Sequence, residues 1–394
     1  MQDATGIRIV ESLTQVAASD WNALDLGGNP VVRHEFLLAL EQTACATRTT
    51  GWQAQHILLT DPNSKLIGAI PLYLKPHSWG EFVFDFSWAN AYSRLGLDYY
   101  PKLVSAIPFT PTTGTRLLVQ PGNESEQQAI REKLIAAVLS LAKSQQLSSV
   151  HMLFTTSQEQ HLLESHGFIA RCDCQFHWHN ESFATFDAFI ATFRADKRKK
   201  ALRERRRVAE AGIHFVTLQG DELSAAQWQT AMQLSAATFH SHGNEHYLNV
   251  EFFLAISRTL PSALMIKFAM FRDQAVAVAI FYRGADTLYG RYWGAAAEFN
   301  GLHFETCYYQ GIDYCIEHGL QHFEPGTQGE HKIARGFAPA KTWSAHWIAD
   351  AQLEPAIRAH AAQERSAIDR YIEAVNEHLP FHRSASEPIS KATP

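Results

Sequence analysis

The chain has 394 residues, 46% of them apolar and 19% charged, which suffices for two cores and excludes a disordered chain. A net charge of −6 excludes a globally basic nucleic-acid binder, so any anion-binding surface has to be local. Cys45, Cys172, Cys174, Cys307 and Cys315 are odd in number and form no paired framework, which favours a reducing compartment. MQDATGIRIVESL does not read as a signal peptide, and no run approaches about 18 apolar residues, so the expectation is a soluble cytoplasmic protein without a membrane span.

In chain order, Glu35–Ala44 has helical spacing. QHILLT, LIGAIPLYL and FVFDFSWA then read as a three-strand meander broken by polar turns. A Pro- and Tyr-rich insertion, residues 89–115, separates this meander from a helix at Glu124–Lys143 and a strand at SSVHMLF. Roughly 200 residues on, the order recurs. Helical patterns at Ala225–Phe239 and Val250–Leu260 lead to the strands LMIKFAMF, AVAVAIFY and TLYGRYWG. A helix at His303–His318 and a short strand at LQHFEP follow, and duplicated α/β modules are the simplest account. The predicted boundaries are 1–172 for the first module and 173–350 for the second. A C-terminal helix covers 351–379, and a polar, mobile tail covers 380–394.

Between the modules lies a basic helix, residues 193–211. From Arg194 to Arg207 it carries nine Lys or Arg against Asp196 and Glu204, a local charge of +7. Ala195, Ala201, Leu202, Val208 and Ala209 form one narrow apolar stripe. The cationic remainder is either a solvated face or a phosphate-binding surface for a nucleotide-containing donor or a tRNA backbone. Arg198, Lys199 and Arg203 are the residues singled out for donor binding.

The segment 288–337 concentrates candidate chemistry. Arg291, Tyr292, Trp293, Gly294, Ala295 and Ala296 end an aromatic strand. His303 and Glu305 open the next helix, where an acid serves either to balance the helix dipole or as a general base walled by aromatics. The Gly-rich loop Pro325–Gly329 carries Gln328 and delivers Glu330, His331, Lys332 and Arg335 on a turn stopped by Gly336. The candidate bases are Glu305 or Glu330, with His331 or His303 second. Cys172, Cys174, His177 and His179 invite a zinc reading, but on an extended strand the two pairs face opposite sides, so no metal is expected. His177 and Trp178 are instead expected to line a cleft.

The strand end Arg291–Ala296 resembles the acetyl-coenzyme A turn of the GNAT acetyltransferases. That likeness implies donor phosphates held at Arg291, Gly294 and Ala296. Five longer stretches, QFHWHN, KRKKALRERR, LYGRYWG, LHFETCYYQGI and PGTQGEHKIARGF, together with YYPKL and PFTP, resemble the FemAB-like family of predicted N-acyltransferases. The resemblance implies an α+β fold of two tandem GNAT-like modules, each a mixed, mostly antiparallel sheet flanked by helices. The implied reaction is acyl transfer to an amine, in a peptide or cell-wall precursor, from acyl-CoA or aminoacyl-tRNA. Tyr99, Tyr100, Lys102, His177, Trp178, Tyr292, Trp293, Gln328, Lys332 and Arg335 are then expected on the acceptor side. The competing expectation is a non-catalytic ligand-binding protein that retains the fold.

Overall fold

The computed structural model describes residues 6–382 except His242, Glu298 and Gln328. In chain order its strands are β1 (Gly6–Val10), β2 (Gln53–Ala54), β3 (His56–Thr60), β4 (Leu66–Ile70), β5 (Tyr73–Lys75), β6 (Lys102–Ser105), β7 (Leu118–Val119) and β8 (Ser149–Thr155). They continue with β9 (Ile169–His179), β10 (Ile213–Gln219), β11 (Leu264–Phe271), β12 (Gln274–Arg283), β13 (Thr287–Ala295), β14 (His322–Glu324) and β15 (Ala338–Ile348). The chain divides into two compact units. One holds the residues up to Asp173 together with Lys341–Asp369, and the other holds Cys174–Ala340 together with the described residues from Arg370 on.

In the first unit, β1, β3, β4 and β7 form one antiparallel sheet, and β15, β8, β6, β5 and β2 follow one another in a second. The helix Glu124–Ser144 is started by Asn123, whose side chain accepts from the Glu126 N–H at 3.0 Å. It buries Leu134, Ile135, Val138 and Leu141 in a core shared with Ile57, Leu103, Val150 and Met152.

FVFDFSWA is not the third strand of a meander. Its second half begins the helix Phe86–Arg94. The alternation that suggested a strand is inverted in space: Phe84 is 64% exposed, whereas Asp85 is buried against Lys102. A buried carboxylate needs a cation, and that pairing overrides the aromatic period.

In the second unit β10, β11, β12 and β13 form an antiparallel meander whose register shifts at Ala269/Met270 and at Ile280/Phe281. β14 adds in parallel to β13 and pairs on its other edge with Trp178 and His179 of β9. The basic helix spans Ala195–Glu210, and the C-terminal helix Leu353–Asn376 belongs to the first unit as far as Asp369. The predicted helix at 303–318 is composite: an α-turn Leu302–Phe304, a π-turn Glu305–Tyr309 and an α-helix Gln310–Glu317. The fold is therefore α+β, with mostly antiparallel sheets flanked by helices. Among the described residues no helix is long and apolar enough to cross a membrane. The predicted tail lies outside the described residues from 383 onward.

Gly294 shows how tightly the second unit is built. A Cβ there would lie 1.8 Å from the Leu234 carbonyl oxygen of the helix Ala225–Ser241 and 2.5 Å from Ser235 Cα. Backbone cannot swing aside as a side-chain tip can, so helix and sheet would have to separate. Gly294→Ala should cost about 3 kcal/mol or more, above the usual overpacking range. A fall in the urea midpoint at unchanged m-value would register it.

Candidate active site

The alternation along β13 splits the aromatic strand between two environments. Tyr292 is buried on one face, its ring 4.5 Å from that of His246 and 5.8 Å from that of Phe253. This is core packing, so Tyr292 does not line an acceptor site. Trp293 faces the other way and meets His303, ring centroids 5.2 Å apart.

His303 in turn lies 5.4 Å from Tyr308 and 5.9 Å from His331, ring centre to ring centre. The 3-10 turn Glu330–Arg335, ended by Gly336 in the left-handed region, presents His331 to solvent. Its Nε2 is 2.8 Å from the Tyr308 hydroxyl. Burial, with help from His331 and Arg335, pulls His303 down to about 4. Burial and the neighbouring Lys332 and Arg335 also lower His331. Both imidazoles are thus neutral near pH 7, the state in which an imidazole accepts a proton.

The carboxylates fare differently. Glu305 is 3% exposed, and its oxygens accept from Arg205 at 3.0 and 3.2 Å and from Gln310 at 2.7 Å. Burial raises its proton affinity and Arg205 opposes that rise. Arg205 also reaches Asp313 at 2.5 Å and stacks 4.1 Å above the Phe186 ring. Glu305 is accordingly bound into the tie with Arg205 and Gln310, an arrangement that does not favour the general-base role expected for it. Glu330 is exposed and accepts from the Tyr371 hydroxyl at 2.7 Å.

A second tie runs beside the first. Glu204 accepts from Arg335 at 3.0 Å and from the Tyr309 hydroxyl at 2.9 Å. Arg335 lies 3.3 Å over the Phe304 ring and donates to the His331 carbonyl at 2.5 Å, which fixes the turn that carries His331. Lys332 is buried, donates to the Gly326 carbonyl at 2.5 Å, and is pushed by burial down to about 7. Arg335 and Lys332 therefore hold the loop in place and do not point outward to an acceptor.

The expected donor turn is taken up by the sheet. Gly294 is covered by Leu234, and the Ala296 N–H is spent on the Val276 carbonyl at 2.8 Å, so neither is a phosphate cradle. Arg291 is half-buried beside the Tyr292 ring. Arg198, Lys199 and Arg203 are exposed on the basic helix, while Glu204 and Arg205 turn inward between the buried Ala201 and Val208.

Trp178 is 1% exposed and packs on Phe183 and Phe189, so it lines no cleft. His177 is buried, 3.2 Å from Gln175 Oε1, and burial lowers it to about 3. Gln328 lies outside the described residues.

Tyr99, Tyr100 and Lys102 belong to a buried polar layer in the first unit. Lys102 donates to Ser78 at 2.8 Å, to Glu81 at 2.9 Å and to Asp85. Tyr99 donates to Asp85 at 2.6 Å and lies 3.2 Å from His151 Nε2, whose other ring nitrogen meets His346 at 2.6 Å. Sequence reasoning named three of these residues and missed Lys75, Glu81, Asp85, His151 and His346, which are scattered over 270 positions.

The FemAB-like family model, described as peptidoglycan biosynthesis/recognition, matches residues 12–383. No curated protein matches the sequence. Among solved structures, FemX is similar at 12% identity and a TM-score of 0.50, with 81% of this chain and 93% of FemX covered. A conserved protein of unknown function from Bacteroides thetaiotaomicron VPI-5482 is similar at 11% identity and a TM-score of 0.51, with 86% and 99% covered. A tandem GNAT protein from the clavulanic acid biosynthesis pathway is similar at 12% identity and a TM-score of 0.46, with 88% and 99% covered. At these identities the likeness is one of fold.

Proposed function

Because the chain belongs to the FemAB-like family, we propose that it is an N-acyltransferase, moving an acyl or aminoacyl group from an activated donor to an amine. The observation that carries this reading is His331, a neutral imidazole open to solvent, braced by Tyr308 and set beside His303 and Trp293. In the proposed step the amine nitrogen attacks the acyl carbonyl carbon. The amine's proton passes to an imidazole nitrogen of His331, and the bond from the acyl carbon to the donor's sulfur or oxygen breaks. No nucleophilic thiol is called for: Cys307 is held protonated by burial, which raises it well above the ordinary thiol range.

The exposed Arg198, Lys199 and Arg203 suit a donor rich in phosphates, as both acyl-CoA and aminoacyl-tRNA are. An acceptor amine on a peptide or cell-wall precursor fits the family's description. Thermal-shift measurement with acetyl-CoA and, separately, with aminoacyl-tRNA tests the reading. The donor used by the protein should stabilise it by about 2.7 kcal/mol at a hundredfold excess over Kd. Stabilisation by neither would overturn acyl transfer in favour of a protein that binds a ligand without catalysis.

A further inference from the structure

In the first unit, the sheet holding β15, β8, β6, β5 and β2 has two unlike faces. Leu74, Leu103, Val150, Met152 and Ala345 lie in the apolar core on one side. On the other, cross-strand pairing sets Lys75 beside Lys102, Val104 beside His151 and His151 beside His346. A sheet face that is covered is ordinarily apolar, yet Lys75, Lys102, His151 and His346 are all buried. The cover is the segment 76–101, which brings down Ser78, Glu81, Asp85 and Tyr99.

Stability does not account for this layer, because taking two amines and two carboxylates out of water costs as much as their pairing returns. Nor is the pairing complete. Glu81 Oε2 and Asp85 Oδ2 meet Lys102, while among the described residues Glu81 Oε1 and Asp85 Oδ1 are buried with no hydrogen-bond partner. Lys75 stands 4.0 Å from Glu81 Oε1 and donates to the carbonyls of Gly51 and Trp79 instead. The two lysine side chains thus approach carboxyl groups that belong to the covering segment and fit them imperfectly, and burial lowers Lys75 and raises Glu81 to about 7 each.

We propose that Lys75, Lys102 and Tyr99 form a binding site for an anionic group, a carboxylate or a phosphate, whose place Glu81 and Asp85 take in this structure. A ligand oxyanion would replace one carboxylate with another anion, so the local charge stays balanced as segment 76–101 lifts. The site is independent of the acyl-transfer reading and of His331.

Isothermal titration of the full chain and of Glu81→Gln, with pyrophosphate in one arm and succinate in the other, tests the proposal. Removing the competing charge should tighten binding of one probe at least tenfold at one site per chain, and Lys75→Met in the Glu81→Gln background should abolish the gain. The responding arm tells phosphate from carboxylate. Equal affinity in the two proteins, absence of binding in both, or binding that survives Lys75→Met would overturn it. If Glu81→Gln does not fold, amide hydrogen exchange on the unaltered protein decides. Millimolar pyrophosphate or succinate should speed exchange within 76–101 and leave the helix Glu124–Ser144 unchanged, and no change with either probe would refute the site.

Discussion

Arg205→Ala is expected to destabilise the second unit by about 3 kcal/mol, toward the lower end for breaking a buried ion pair because Arg205 is partly exposed. The loss follows from what the substitution leaves behind. Glu305 would keep only Gln310 as a partner in a site that is 3% exposed, and Asp313 would lose its cation. An uncompensated buried carboxylate costs more than the pair it came from contributed. Glu305→Gln in the Arg205→Ala background should therefore recover part of the loss, since a neutral amide carries no charge to strand. Urea unfolding of the two single variants and the double variant gives the coupling directly. A coupling near zero would show that the pair is merely adjacent. The same cycle bears on chemistry: Glu305→Gln alone should retain acyl transfer, because its carboxylate is already engaged.

The second large effect concerns rate. His331→Ala should lower kcat/KM for the donor identified by thermal shift by about 10²- to 10⁴-fold, the range that a positioned general base supplies. Its sign with pH follows from the imidazole's lowered proton affinity. The base is active when neutral, so kcat/KM should fall only as acid protonates His331, at a pH below the ordinary imidazole range. The variant should lack that acid limb altogether. Tyr308→Phe removes the 2.8 Å contact but leaves the ring, and should shift the limb without erasing it. A His331→Ala enzyme with full activity and an unchanged pH profile would remove His331 from the reaction.

Much of the second unit could be read from the sequence because its chemistry is local. The strands of the meander alternate or run apolar over eight to ten residues, and the loop that carries His331 announces itself by Gly326, Gly329 and Gly336. What escaped was which charged residues turn inward. Glu204 and Arg205 look like part of a cationic run, yet they sit between Ala201 and Val208, the two buried positions of that helix. The apolar stripe marks the inward face, and a charged pair lying on it signals partners elsewhere in the fold. Those partners, Glu305, Asp313 and Arg335, are 100 or more residues away and no local pattern points to them.

The first unit was harder for the same reason in stronger form. Glu81 and Asp85 lie in an aromatic stretch whose period suggests a strand, while the amine that fixes them comes from β6 and the imidazoles from β8 and β15. The donor turn misled in the opposite direction. Arg291 to Ala296 has the composition of an anion cradle, but Leu234 fills the space in front of Gly294 and Val276 takes the Ala296 N–H. Glycine at a strand end serves close approach as readily as it serves a ligand.

The π-turn at Glu305–Tyr309 has a consequence for how this chain can vary in length. Residues five apart sit on different sides of an evenly wound α-helix, yet Glu305 and Gln310 bond at 2.7 Å because the wider coil brings them into line. Deleting a single position there would leave Glu305 and Gln310 four apart, the spacing that shares a face in an evenly wound α-helix, so the coil would tighten and the helix beyond would keep its direction. Gln310 and Asp313 would stay beside Arg205, and Gly311, whose missing side chain admits the Phe323 ring, would still face it. The helix can thus lose one residue from its π-turn more readily than from the evenly wound stretch Gln310–Glu317 beyond it.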